Sequence, residues 1–225
     1  MNRKPLIPRY AVLPLAAALI FNLLVYYATK PFSVDWPHHY LASRLDDAIP
    51  LCPVFLSIYG LAFVQWVVGY VMAARESREL CGRMVAGDIV AKLLCLVCFL
   101  VFPTTMVRPD VPGSGLWDVL LRMVYAVDTP TNLFPSIHCL ECWVCSRAAL
   151  RMKTAGRWYK VGMTMFTVLV FASTLLVKQH VLADVVGGVA AAELGIAAEQ
   201  ILQLHELPAR AGKFLRSRAA TRQSR

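Results

Sequence analysis

An all-α bundle of six transmembrane helices, with both termini cytoplasmic, is the fold this sequence predicts, and three observations predict it. Hydrophobic residues make up 58% of the chain and charged ones 16%, where a soluble domain carries about a quarter charged. The apolar residues gather into six stretches, roughly 10–29, 50–73, 86–104, 136–152, 160–177 and 182–204. Most of these are near the ~20 residues a helix needs to cross the hydrocarbon core. The basic residues alternate between the stretches as membrane topology requires. With the N-terminus inside, segments 1–10, 74–88, 147–160 and 205–225 hold 17 of the 23 Lys and Arg, and the outer segments hold five. The net charge of +9 reflects that bias, so a nucleic-acid partner is not expected.

The first stretch follows Arg3, Lys4 and Arg9, as a signal peptide would. It runs into Tyr26-Tyr27-Ala28-Thr29-Lys30-Pro31 without a small-x-small cleavage pattern, so a retained signal-anchor helix is predicted, with 1–9 as a cytoplasmic N-terminus. His38 and His39 fall in the next loop without spaced partners and read as solvated. Asp46 and Asp47, just before the second stretch, read as helix-end charges, with a headgroup-facing role as the alternative. In the third stretch Asp88 and Lys92 are four apart near the inner end and are expected to pair. The fourth is interrupted by Glu141, Ser146, Arg147 and Arg151, so it should face protein or a polar cavity more than lipid. The fifth runs into a turn holding Lys178, and the sixth opens with Asp184. Glu193 lies about 13 Å further along the sixth helix, near mid-membrane depth, where it needs a partner. Residues 10–204 thus read as one membrane domain, and 205–225 as a basic cytoplasmic tail, disordered and attracted to anionic lipid.

Seven cysteines, with Cys139, Cys142 and Cys145 at metal-like spacing, raise the possibility of a cluster. They lie inside apolar runs and no Cys-Pro follows Cys145, so they read as small buried hydrophobes, with no metal expected.

Three polar stations remain, and the charge count puts all of them on the outer side. The first is Phe102-Pro103-Thr104-Thr105-Met106-Val107-Arg108-Pro109, whose arginine suits a phosphoryl group through its planar fork of donors. An interfacial arginine that snorkels to headgroups would look the same. The second is Phe134-Pro135-Ser136-Ile137-His138. Proline favours a helix first turn, whose free N–H groups form an anion site. Ser136 can add a hydroxyl donor, and His138 can act as general acid or simply hydrogen-bond across helices. The third is Lys178-Gln179-His180-Val181-Leu182-Ala183-Asp184. On a helix, i and i+4 share a face, so Asp184 can hold the His180 imidazole in one tautomer and free its other nitrogen as a nucleophile. The alternative is an interfacial ion pair of Lys178 with Asp184.

Taken in order, Arg108-Pro109, Pro135-Ser136-Ile137-His138 and Ser173 with His180 and Asp184 resemble the three motifs of the type-2 phosphatidic acid phosphatase superfamily. Those motifs are Lys-x6-Arg-Pro, Pro-Ser-Gly-His and Ser-Arg-x5-His-x3-Asp, and the likeness spans roughly residues 50–205. The resemblance implies six helices, no cofactor and no metal. It also implies a phosphohistidine on His180 oriented by Asp184, a leaving group protonated by His138, and phosphoryl oxygens held by Arg108 and Ser136. Three positions depart from the motifs: Val101 stands for the lysine, Ile137 for the glycine and Thr174 for the arginine. Lys178 is the candidate to replace a lost cation. The patterns Phe-Pro-Thr-Thr-x-x-Arg-Pro, Asn-x-Phe-Pro-Ser-x-His and Lys-Gln-His are similar to inositol phosphorylceramide synthase-like members, some of which transfer a phosphorylated headgroup between lipids.

The expected function is therefore an integral membrane lipid phosphatase acting on a phosphorylated lipid at the extracytoplasmic face of a bacterial plasma membrane. The alternatives are a lipid headgroup phosphotransferase and, from another class, a catalytically silent transporter or scaffold using the intramembrane acids Glu141 and Glu193.

Overall fold

The computed structural model describes residues 5–33 and 36–207. The predicted basic tail lies, from residue 208 on, outside the described residues, as do the first four residues of the N-terminal segment. Among the described residues eight α-helices follow in order: α1 (Arg9–Ser33), α2 (Arg44–Ala48), α3 (Leu56–Glu76), α4 (Arg78–Val101), α5 (Leu116–Val127), α6 (Ile137–Arg151), α7 (Arg157–Leu176) and α8 (Leu182–Leu202). Five of them are long and apolar enough to cross a membrane, namely α1, α3, α4, α7 and α8. Their outward faces carry side chains such as Leu13, Val67, Val97, Val168 and Leu194, all exposed. A monomeric soluble protein rarely shows so much contiguous apolar surface, whereas lipid accommodates it.

The fourth predicted stretch folds as α6 but spans only 15 residues, about 22 Å of rise, and is not among the five. Its charged and hydroxyl residues lower its hydropathy. Instead of facing lipid it is enclosed by α3, α4, α7 and α8, with only Leu150 and Arg151 exposed. The prediction that this helix faces protein is met. The helix the chain could least afford to show to lipid is the one at the centre.

Sequence periodicity missed α2 and α5, which are too short to register as spans. It also missed a two-residue parallel pairing of β1 (His39–Tyr40) with β2 (Thr104–Thr105). α4 starts eight residues before its predicted boundary, because Ser77 caps it, its Oγ accepting from the Leu80 amide at 3.0 Å. Asp88 and Lys92 consequently lie well inside the helix rather than at its end. They do pair, at 2.7 Å, but Lys92 also bridges to Glu141 on α6 at 2.5 Å, and Glu141 accepts from Tyr70 of α3 at 2.9 Å. Glu193 is met by Arg147 at 2.8 Å and by the Trp143 indole at 2.6 Å. Every intramembrane acid raised by the transporter reading is thus engaged by a cation or donor on another helix. The histidine expectation is corrected in part: His39 is exposed but stacks on Phe102 at 4.2 Å, and His38 Nε2 is buried.

Consecutive long helices run in alternating directions. One end of the bundle gathers the loops that carry α2, α5 and the starts of α6 and α8. The other holds the α3–α4 and α6–α7 turns, where Glu76 accepts from the Lys153 amide at 2.6 Å. The tightest crossing joins α4 and α8, where a Cβ at Gly195 would sit 2.3 Å from the Gly87 carbonyl oxygen.

Candidate functional site

Three segments converge at the loop-bearing end, and local chemistry explains each. α7 ends in a Schellman turn: Gln179 N–H bonds the Thr174 carbonyl at 3.0 Å, and Lys178 N–H bonds that of Leu175 at 3.2 Å. Lys178 occupies the left-handed position with φ of 49°, where glycine would be the unstrained choice. The chain then enters α8, with the Asp184 carboxylate accepting from the Val181 amide at 3.0 Å. The same Oδ2 lies 3.2 Å from His180 Nδ1. An ionised carboxylate only accepts, so Nδ1 carries the proton and Nε2 keeps a free lone pair. Asp184 is fully buried.

α6 is docked onto this turn. Ser136 N–H donates to the Asp184 carbonyl at 3.0 Å, while Ser136 Oγ accepts from the Cys139 amide at 3.3 Å and caps α6. Ser136 is completely buried. The approach is possible because Gly188 has no side chain: a Cβ there would sit 2.5 Å from the Ser136 carbonyl oxygen. Gly188→Val is therefore expected to push the start of α6 away and to lower turnover by about 100-fold, the order of loss that roughly 1 Å of misplacement brings. Turnover of the folded variant at or near wild type would show that this contact does not set the site.

His138, two residues into α6, sits in an aromatic collar. Its ring stacks on Tyr59 at 4.2 Å, with Trp66 at 5.0 Å and Phe63 at 5.2 Å. Tyr59 Oη lies 3.5 Å from His138 Nδ1, and His138 Nε2 is buried without a hydrogen-bond partner among the described residues. His138 and His180 line one cavity of about 330 Å³, bounded by Tyr26 of α1, the α3 aromatics and the end of α5. The collar residues at 59, 63 and 66 are spaced as one helix face. That periodic signal was present in the sequence, but nothing there said what it faced.

Arg108 reaches the same region from the α4–α5 loop. Its guanidinium lies over Tyr125 at 4.6 Å and donates to the Asp128 carbonyl and to Gln179 Oε1. Burial lowers its pKa, with the nearby Asp128 opposing, and an arginine so placed stays charged.

The structure therefore brings together His180, Asp184, His138, Ser136 and Arg108. Lys178 turns elsewhere. Its Nζ donates to the Asp46 carbonyl at 2.8 Å and borders a second cavity of about 510 Å³, whose wall His180 shares. Asp46 also ties α2 to α8, its Oδ1 accepting from the Leu182 amide at 2.7 Å and its Oδ2 from Ser43 Oγ at 2.6 Å. Burial alone would raise the Asp46 pKa, but these hydrogen bonds and the Lys178 charge outweigh it and lower the value below the ordinary carboxylate range. Thr174, at the position of the motif arginine, is buried, its hydroxyl bonded to the Phe171 carbonyl at 2.8 Å. Sequence reasoning missed Gln179 and the collar as parts of the site. Of the spaced cysteines, Cys142 accepts from the Trp66 indole at 3.2 Å and Cys145 lies against Gly69.

No curated protein and no solved structure matches the chain. The PAP2 superfamily model matches residues 24–198, which include α3 through most of α8 and every candidate site residue named above, so the chain belongs to the PAP2 superfamily, whose members are in general phosphoesterases or phosphotransferases.

Proposed function

We propose that this protein hydrolyses a phosphate ester of a membrane lipid through a phosphohistidine on His180, at the extracytoplasmic face of its membrane. The observation that carries the reading is the cavity shared by His180 and His138, with Asp184 bonded to the first histidine and the second left with a free nitrogen. In the first step His180 Nε2 attacks phosphorus. The N–P bond forms as the P–O bond to the lipid alcohol breaks, and His138 donates a proton to the departing oxygen. Water then attacks the phosphohistidine, gives its proton to His138, and the N–P bond breaks to release phosphate. In this reading Arg108, bonded to the cavity-lining Gln179, steadies the phosphoryl oxygens, Ser136, buried and capping α6, holds the His138 turn in position, and no step calls for a metal. The positive-inside bias supports the assignment of face and of both termini. The sixth span in this reading is α6, sheltered by its neighbours.

A second reading, transfer of a phosphorylated headgroup to another lipid alcohol, is favoured by the second cavity that borders His180, with Asp46, Asp47 and Lys178 in its wall. One experiment tests the chemistry and separates the two. Protein in vesicles is given phosphatidic acid or a phosphodiester lipid labelled at phosphorus, quenched, and assayed for labelled protein, free phosphate and new phospholipid. Labelled protein with free phosphate is expected. New phospholipid formed when ceramide or diacylglycerol is added selects transfer. Turnover without any labelled enzyme, under conditions that preserve phosphohistidine, would remove the covalent mechanism.

A further inference from the structure

We infer that the side-chain amide of Gln179 is a phosphoryl-oxygen donor of this site, supplying through Nε2 hydrogen bonds that replace a missing basic side chain. The inference rests on the phosphohistidine reading and names a group that reading lacks. Gln179 is 1% exposed and lines the cavity between His138 and His180. Its amide can be oriented without ambiguity. A guanidinium has five donors and no acceptor, so the atom facing Arg108 must be the carbonyl oxygen Oε1. The NH₂ end is therefore turned away from Arg108. Nε2 is buried and has no hydrogen-bond partner among the described residues.

An unpaired buried amide is costly, and a fold retains one where something else completes it. Two further nitrogens beside Gln179 are in the same condition: Arg108 Nε and His138 Nε2 are also buried and unpartnered. Gln179 and His138 thus offer unused nitrogens in the wall of the cavity that His180 lines, with Arg108 bonded behind the amide, an arrangement that suits an oxyanion in a water-poor site. The other candidates for the role are occupied. Lys178, in the left-handed region, is held at the Asp46 carbonyl. Thr174 spends its hydroxyl on the Phe171 carbonyl. The amide brings donors but no charge, and Arg108, bonded to its oxygen, polarises the N–H groups toward the ligand.

The test uses the full chain in detergent micelles, with inorganic orthovanadate as the oxyanion probe and labelled phosphatidic acid for the covalent step. Gln179→Glu keeps an oxygen for Arg108 and replaces the NH₂ by an acceptor, while Gln179→Met removes both polar ends at similar volume. Both are expected to weaken vanadate binding by about 10-fold or more. Both should slow phosphoenzyme formation by about 100-fold, the loss typical of removing one oxyanion donor, with KM changed far less than kcat. Gln179→Glu is expected to be the worse of the two. If Gln179→Glu folds with wild-type thermal stability yet binds vanadate and forms phosphoenzyme within twofold of wild type, the amide is not a donor and the inference fails. The two readings fail differently. Absence of phosphoenzyme in wild type strikes the covalent mechanism, whereas wild-type phosphoenzyme left untouched by the Gln179 variants strikes only this inference.

Discussion

His180→Ala is expected to leave no labelled enzyme and to lower turnover by about 10⁶-fold, the scale on which loss of a covalent nucleophile is felt. The substitution should barely disturb the fold. The imidazole is at the cavity wall with 10% of its side chain exposed, and its one polar contact among the described residues is Asp184, whose carboxylate keeps the Val181 amide. His138→Ala should behave otherwise. In the proposed mechanism it removes the proton donor but leaves the nucleophile, so an activated substrate whose leaving group needs no proton should still label the enzyme. A His180→Ala protein that retains even a hundredth of wild-type turnover, with His138→Ala inactive, would remove His180 as the nucleophile. Water attacking phosphorus directly, with His138 as base, would then be the simpler account.

Lys92→Met carries the largest expected loss of stability. Lys92 is 1% exposed and lies between Asp88 and Glu141, and its removal leaves two carboxylates facing each other in the middle of the bundle. Breaking a buried ion pair from one side typically costs about 3–5 kcal/mol, because the remaining charge has no solvent and no partner. Glu141→Gln should be mild by comparison, since it leaves the neutral Lys92–Asp88 pair and keeps an acceptor for Tyr70. Thermal unfolding in detergent would show a large drop for the first variant and a small one for the second. If Lys92→Met melted with the wild type, the cluster would have to be neutral already, and its role in fastening α4 to α6 would be lost. The cluster also bears on function at a distance, since α6 is the helix whose first turn holds Ser136 and His138.

The residues that were legible in advance share a property: their signal is local. His180 and Asp184 are four apart on one helix, so their contact follows from helical geometry alone. The same holds for Asp88 and Lys92. Glu141 completing that pair was not legible, because it comes from another helix some fifty positions along the chain, and only packing brings it in. Glu193 posed a question the sequence could ask but not answer: its partners Arg147 and Trp143 lie on a neighbouring helix.

The stretch Lys178-Gln179-His180 shows where that boundary falls. Charge made Lys178 the obvious substitute for a lost cation, and Gln179 drew no notice. A Schellman turn with Lys178 in the left-handed region sends the lysine to Asp46 and the glutamine toward Arg108. Consecutive residues thus meet different surroundings at a turn whose geometry no side-chain pattern encodes. The sequence by itself determined the apolar spans, the charge bias across them and the order of the polar stations, because length, hydropathy and i,i+4 spacing act within one helix. The tertiary structure alone decided that α6 is shielded from lipid, that aromatic rings surround His138, and which polar atoms are left unpaired beside His180. Those outcomes depend on how helices distant in sequence press together, and on where small residues such as Gly188 let them approach.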